Sequence, residues 1–425
     1  MPFDQEPQAF AEQVDLHEPV RGPGWAVLWG CFLGCSWTWV IGMVFPVLLL
    51  RDYGIWGWVA FAVPNVIGAA AMGFVLTTPD VARLIWSRHR TMVRWFSDVT
   101  LAYHVFVLMW LGTKLFGPAA LAAAAIPLMM MVPARRKAWG PWLPVAAAAV
   151  ALLSWGCFSY AVRLPEAGVI IDDLFGMATP TPALGAPDLP APRLGLTDFL
   201  IFVPAAITGF LCCPYLDGTF LRARAATSRG TGRFAFTFGF GIVFFSMIVF
   251  SLAYAAWLIP AFEAGHRDGI AWPNVWAVVI GIHMLVQVAL TMTLHLRERE
   301  FLNPDGRQLG PLTLMLVIAF GLVLLQRLHD GVLGSSWAEI GYRSFLLMYG
   351  LTFPAYVWLV MLRRGAITRA AWVRFGVTSA IAAPMGFVGF VTGPAWWLLG
   401  ALVVVTLAKL VPIGIDRAKP DEVLA

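Results

Sequence analysis

Charge is what this sequence has least of. Asp, Glu, Lys and Arg make up only 12% of its 425 residues, hydrophobic residues 60%, and mean hydropathy is +0.76. That balance excludes a soluble globular domain and indicates a polytopic helical membrane protein. Cysteine is scarce too. The five present (Cys31, Cys35, Cys157, Cys212, Cys213) all fall inside apolar runs, which argues against a disulfide framework. A GxxxxGK[ST] loop is absent, so ATP is not expected to drive the chain directly. No span carries paired carboxylates, a Ser/His/Asp arrangement or a close His/Cys cluster, so no catalytic activity and no bound metal are expected. The adjacent pair Asp172-Asp173 reads as solvated. Residues 1–20 are acidic (Asp4, Glu6, Glu12, Asp15, Glu18) and lack the basic leader of a cleavable signal, so the first span is expected to direct insertion.

Long apolar runs are what the sequence does have. Eight are clear: Trp25–Leu50, Tyr53–Pro79, Ala138–Val162, Phe199–Leu216, Phe234–Phe262, Gly269–Leu296, Gln308–Gln326 and Ser344–Leu362. Two longer regions divide, Val99–Ala134 at Lys114 and Gly117-Pro118, and Phe375–Ala408 at Gly393-Pro394. Twelve spans result, the fourth short and carrying Pro127. With the N-terminus in the cytoplasm, 22 of the 29 Lys and Arg residues fall on the inner side and 7 on the outer side. Basic residues held on the cytoplasmic side orient membrane helices, so both termini are expected to be cytoplasmic in a cell inner membrane. The net charge of +5 and pI near 9.1 then report topology, not nucleic-acid binding. The lipid bilayer is the first expected partner.

One connection is unusual. Residues 163–197 contain Pro180, Pro182, Pro187, Pro190 and Pro192 and predict an extended outer spacer. Five spans precede it and five follow, before a final pair. An odd number in each half reverses the orientation of one half relative to the other, the arithmetic of an inverted repeat. The expected organisation is a tail (1–21), a five-helix repeat (22–162), the spacer (163–197), a second repeat (198–362), an accessory helix pair (363–413) and a tail (414–425). The connection Asp80–Asp98 sets apolar Val81, Leu84, Ile85, Met92 and Phe96 among Arg83, Arg88, Arg90 and Arg94, which suits an interfacial helix.

The first span of each half concentrates Gly, Pro and small hydroxyl residues. Span 1 has Gly30, Gly34, Ser36, Thr38 and Gly42, with Pro46 beyond; span 6 has Pro204, Thr208, Gly209 and Pro214. Such residues allow a helix to break and offer backbone groups to a bound solute, and paired breaks in two halves point to a transporter's binding site. The plainer reading is close helix packing through small residues.

Three places carry a family resemblance. Thr77-Thr78-Pro79-Asp80 with the arginines to Arg94 resembles the cytoplasmic Thr-Leu-Pro-Glu connection of the sodium:solute symporters, within the leucine-transporter fold. Pro214-Tyr-Leu-Asp-Gly-Thr-Phe-Leu-Arg222-Ala-Arg-Ala-Ala226 is similar to the segment after their corresponding helix. The breaks of spans 1 and 6 fall where that fold unwinds. The resemblance covers roughly residues 22–362 and implies a symporter-like secondary transporter working by alternating access. Span 8 departs from it, lacking the paired serines those symporters use for sodium.

Span 8 instead carries His283, Gln287, Thr291 and His295 at four-residue intervals, one polar face that should turn to the bundle interior. The expected solute-binding residues are Gly34, Ser36, Trp37, Thr38, Thr208, Gly209 and Gln287, with His283 and Thr291 serving ion coupling to Na+ or H+. A hydrogen-bonded structural histidine is the alternative for His283, and an interfacial role is expected for His295. Trp37 and Trp39 could stack on a flat or cationic solute or simply pack. Cys31, Cys35 and Cys212-Cys213, with Met129-Met130-Met131, offer a copper(I) route as a competing idea. A small-molecule solute is the expected cargo, and the alternative is a non-transporting membrane subunit or sensor. A transporter should show a polar centre between spans 1, 3, 6, 8 and 10; a scaffold should have that centre packed shut.

Overall fold

A computed structural model describes residues 20, 22–116, 137–163, 193–263, 274–301, 310–328, 336–362, 367–392 and 394–410. The expected fourth span, Met129–Met131, Asp172-Asp173, the Pro-rich centre of the outer connection and the terminal tails lie outside them. Among the described residues nine helices are long and apolar enough to cross a membrane, and Pro311–Gln326 and Trp396–Ala408 are shorter apolar helices. The one β-type pairing there is an isolated bridge between Val20 and Thr227. The chain is an all-α, multi-pass membrane protein. Its lipid-facing positions carry residues such as Ile67, Phe74, Leu152, Val278, Leu314 and Val403, all exposed on the bundle.

Helix α1 (Pro23–Trp37) begins with proline in its first turn, where the missing N–H would have had no partner. It is interrupted at Trp39 (φ −63, ψ 131) and Val40 (φ 62, ψ −57). The chain resumes as α2 (Phe45–Val75), which holds the end of the first expected span and the whole of the second: Gly54 (φ 66, ψ −160) turns one into the other. The connection between the first two expected spans is therefore a single-glycine bend three residues past Arg51, at a φ that a side chain would oppose. Helix α3 (Pro79–Arg88) covers only the first half of the expected interfacial segment Asp80–Asp98; residues from Arg90 on, with Met92, Arg94 and Phe96 buried, belong to α4 (Arg90–Val107). Thr78 caps α3 by accepting from Val81 N, Asp80 lies in its first turn and Arg88 in its last, matching the helix dipole.

The remaining spans are α4 (Arg90–Val107), α5 (Leu143–Ala161) and α6 (Leu196–Cys212). Helix α7 (Gly218–Ala225) is short; α8 (Arg229–Phe238) and α9 (Phe245–Glu263) join through a π-helical turn into one long span. Then follow α10 (Asn274–Phe301), α11 (Gly310–Leu328) and α12 (Trp337–Leu347). Two π-helical turns carry α12 on through Met361, with α13 (Phe353–Tyr356) between them. Helices α14 (Arg369–Phe387) and α15 (Trp396–Ala408) form the terminal pair and pack on each other.

Small residues set the closest approaches. Helix α1 packs on α8 and α5, and α6 packs on α2 and on Met348–Thr352. A Cβ on Gly30 would meet the Phe238 ring at 2.6 Å, and one on Gly34 would meet Val243 at 2.6 Å. At the other contact a Cβ on Gly68 would lie 2.5 Å from the Phe210 carbonyl. Glycine is needed at these positions because bilayer helices gain from packing, and any side chain would separate the backbones.

Candidate functional site

The interruption of α1 leaves Val40, a β-branched residue, at positive φ in the geometry of a tight γ-turn, a strained state for valine. Surrounding contacts hold it. The Tyr254 hydroxyl donates to the Met43 carbonyl at 2.9 Å, and Val44 N donates to the Val40 carbonyl at 2.9 Å, restarting the helix. Thr38, one residue before Trp39, returns its hydroxyl to the Gly34 carbonyl at 2.8 Å.

Span 6 breaks lower than its small residues indicate. Thr208 and Gly209 lie in regular helix; α6 passes into a 3₁₀ turn at Cys213–Leu216, and the backbone turns extended at Asp217. Pro214 explains the position, since it has no N–H to give the helical ladder. Asp217 then caps α7, accepting from Thr219 N at 2.8 Å and from the Thr219 hydroxyl at 2.7 Å.

The two interruptions meet at that carboxylate. The Trp37 indole N–H, at the end of α1, donates to Asp217 Oδ2, and Thr219 Oγ1 lies 3.2 Å from Ser36 Oγ. Asp217, Ser36, Trp37 and Thr219 are all 0% exposed. Asp217 has three hydrogen-bond donors and no cation within ion-pair distance among the described residues. A buried charge held this way is expensive in a bilayer.

Helix α10 closes the third side. The Thr291 hydroxyl donates to the Cys35 carbonyl at 2.8 Å. His295 Nε2 lies 3.3 Å from the Ser36 carbonyl, and the His295 ring sits 5.9 Å from that of His104, nearly perpendicular. His295 is fully buried, so the interfacial role expected from its place near the end of the span is corrected: α7 and α1 cover it. Further along α10, Gln287 Nε2 donates to Ser154 Oγ at 2.8 Å, and His283 Nδ1 lies 3.0 Å from the same oxygen. The His283 ring packs on Phe250 at 4.9 Å, and its Nε2 and Gln287 Oε1 have no hydrogen-bond partner among the described residues.

The nine expected site residues thus separate into three groups, with Thr208 apart from all of them. Ser36, Trp37, Thr38 and Thr291 gather around the α1 interruption. Gln287 and His283 join α5 through Ser154. Gly34 and Gly209 are packing positions, Gly34 against Val243 in the π-helical turn between α8 and α9, and Gly209 against the Tyr349 carbonyl, which a Cβ there would meet at 2.6 Å. Thr208 is exposed on the flank of α6 with its hydroxyl returned to the Pro204 carbonyl at 2.8 Å, away from the others. Asp217, Thr219 and His104 complete the first group. Asp217 was the available signal: a lone acid two residues beyond Tyr215 at the end of an apolar run.

Aromatic rings fill the space between the start of α2, α4 and α12. Phe45 stacks on Tyr103 at 5.7 Å, Tyr103 on Phe345 at 3.8 Å and Phe345 on Tyr349 at 4.2 Å. Tyr349 OH reaches Thr100 Oγ1 at 2.7 Å. The centre is therefore polar on the Asp217 side and packed with rings on the other. A small cavity of about 50 Å³, room for about one or two waters, lies beyond the rings beside Asp52, Asp198 and Arg343. The thiols are engaged in packing. Cys35 Sγ lies 3.6 Å from the Ala147 carbonyl and Cys213 Sγ 3.2 Å from the Tyr349 carbonyl. Among the described residues no group of three His, Cys, Asp or Glu is placed to hold a metal ion.

Outside the spans, burial and the neighbouring Arg88 charge lower the His89 imidazole to about 4, while its Nδ1 meets Tyr356 OH at 2.9 Å. Burial, then the charges of Arg233 and Arg229, lower the Arg224 guanidinium to about 10.

No family model and no curated protein matches the chain. Among solved structures it is similar to a manganese transporter of Eremococcus coleocola, crystallised with an aromatic bis-isothiourea compound. The two are 12% identical with a TM-score of 0.45, over 93% of this chain and 94% of that one.

Proposed function

We propose that this chain is an ion-coupled secondary transporter that moves a small solute by alternating access, with the solute held where α1 and the α6–α7 junction are interrupted. The observation that carries the reading is the buried Asp217 carboxylate bridging the two interruptions through Trp37 and Thr219. Unwound backbone and a helix N-terminus beside a charge form the usual chemistry of such sites. The packing pairs support an inverted five-plus-five repeat. Span 1 on span 7 answers span 6 on span 2, and span 1 on span 5 answers span 6 on span 10. Coupling is to Na+ or H+, with Thr291 on α10 touching α1 at Cys35. Ser36, Trp37 and Thr38 are the solute-side residues on α1. The rings of Tyr103, Phe345 and Tyr349 would have to part to admit solute from the far side.

The test is thermal unfolding of the purified protein against a library of small solutes, in sodium and in choline buffer at two pH values. A solute at 100 times its Kd should stabilise the fold by about 2.7 kcal/mol. Asp217→Asn should abolish that shift while the unliganded protein still unfolds cooperatively. If no solute stabilises the wild type, the transporter reading fails. The non-transporting subunit or sensor then gains, a reading favoured by the ring stack that packs one side of the centre.

A further inference from the structure

Among the buried polar groups without a full set of hydrogen bonds, His104 and His295 are two imidazoles that face each other next to the α1 interruption. His104, 1% exposed, has neither ring nitrogen partnered among the described residues, and His295 Nδ1 is likewise without a partner. Buried polar atoms in this state call for a function or a bound species. The tautomer of His295 follows from its contact with Ser36. A carbonyl oxygen only accepts, so Nε2 must carry the hydrogen and donate to it. Nδ1 is then a bare lone pair, buried beside a second imidazole, on a ring that touches Ser36, the residue next to the Trp37 that donates to Asp217.

We propose that His104 and His295 form the proton-binding site of this molecule, with the lone pair of His295 Nδ1 as the acceptor and Asp217 as the counter-charge. This rests on the transporter reading for its purpose but not for its chemistry. A proton taken from solvent adds to the Nδ1 lone pair without breaking another bond, and the His104–His295–Asp217 group gains one positive charge. The imidazolium then donates more strongly to the Ser36 carbonyl, in the last regular turn of α1 before its interruption. Proton binding therefore acts on the segment that must move. His283 lacks this arrangement, since Ser154 and Phe250 are its partners. A metal ion does not fit, because no third ligand stands close enough among the described residues.

The ionisable groups on the surrounding elements are consistent with a single proton. Arg222–Glu298 and Arg299–Asp98 are already matched ion pairs. Arg94 on α4 and Arg297 on α10 lie toward the same end. Cys35 on α1, Cys213 after α6, Tyr103 on α4 and Tyr349 beyond α12 are neutral packing groups near neutral pH. The described side chains of α11, which packs on α4, include no ionisable group.

The test is a pH titration of the full-length protein in lipid nanodiscs, isotope-labelled at histidine nitrogen, with the proton itself as the probe and no solute present. From about pH 8 to about pH 5 one bare imidazole nitrogen should acquire a proton. That signal should vanish in His295→Gln and weaken about tenfold in proton affinity in Asp217→Asn, a variant that keeps both histidines visible if His295→Gln does not fold. His89→Gln should leave it unchanged. Both rings staying neutral to about pH 5, or a titration that survives His295→Gln, overturns the proposal. A titrating pair with no stabilising solute would keep the proton site and remove transport. A stabilising solute with a silent pair would do the reverse.

Discussion

The two ends of the bundle bury charge in different ways. At the end that the basic-residue count places outside, Arg51, Asp52, Glu339 and Arg343 form one closed network. Arg51 Nη2 contacts Asp52 at 2.7 Å and Glu339 at 2.8 Å; Arg343 reaches Glu339 at 2.8 Å and Asp52 at 3.6 Å. Tyr342 OH donates to Asp52 at 3.4 Å, and Arg193 N and Leu194 N donate to the Arg51 and Asp52 carbonyls. At the opposite end the described residues show two ion pairs, Arg222 with Glu298 and Arg299 with Asp98. The closed network leaves Arg51 Nη1 without a hydrogen-bond partner; the pairs leave Asp98 Oδ2, Glu298 Oε2 and Arg222 Nη2. A four-charge network shares each loss among its members, whereas a pair divides it between two. The paired end is therefore the one where a single substitution should be felt most, and where rearrangement meets fewer simultaneous constraints.

Glu298→Gln should have the largest effect. Among the described residues it leaves Arg222 with the faces of Trp86 at 5.2 Å and Phe301 at 4.5 Å, and an uncompensated buried charge costs about 3–5 kcal/mol. Thermal unfolding in detergent checks this. Glu339→Gln at the closed end should cost less, about 2 kcal/mol, because Asp52 still faces both Arg51 and Arg343. A double-mutant cycle between Glu339→Gln and Asp52→Asn should then show strong non-additivity, the second loss exceeding the first. Equal and additive shifts at the two ends would erase the distinction.

A pH scan sharpens the comparison next. His89 lies between α3 and α4, at the paired end, and is lowered to about 4 in the folded protein by burial and by Arg88. Unfolded, an imidazole binds its proton near pH 6.5. Between those values the unfolded chain holds the extra proton, so stability rises with pH there and is lost as pH falls from about 6.5 toward 4. His89→Gln should flatten that segment of the unfolding curve. An unchanged slope would mean that the paired end owes its acid sensitivity to other groups.

The sequence made the apolar spans and the alternation of basic connections legible, because both follow from single-residue hydropathy and charge. The interruption of span 1 was legible from Gly34, Ser36, Thr38 and Gly42, though its exact place at Val40 was not, since a valine there contradicts local preference. In span 6 the small residues Thr208 and Gly209 misdirect: one faces outward and the other serves packing, while Pro214 and Asp217 make the break. His295 and Asp217 were hidden for a different reason. Each looks like an interfacial residue at the end of a run, and only the folding back of α7 against α10 and α1 buries them. Long-range coverage of that kind leaves no periodic trace. The closed charge network was equally invisible, as Arg51 and Arg343 are 292 positions apart and read as ordinary loop arginines.

Arg343→Lys is the finest probe of that network, and its effect should be the smallest. A lysine keeps the positive charge between Asp52 and Glu339, so no carboxylate is left unopposed. What it loses is geometry. The guanidinium now serves Glu339 through Nε, Asp52 through Nη2 and the Phe390 carbonyl through Nη1 at 2.8 Å, three directions set by one planar group. An ammonium can satisfy the two carboxylates, but a shorter, unbranched reach leaves the Phe390 carbonyl without its donor. The expected loss is about 1 kcal/mol, one ordinary hydrogen bond. It should appear mainly as loosening of Val388–Thr392 in hydrogen exchange. A loss as large as that of Glu298→Gln would show that the closed end depends on shape as much as on charge balance, and that redundancy of charge does not protect it.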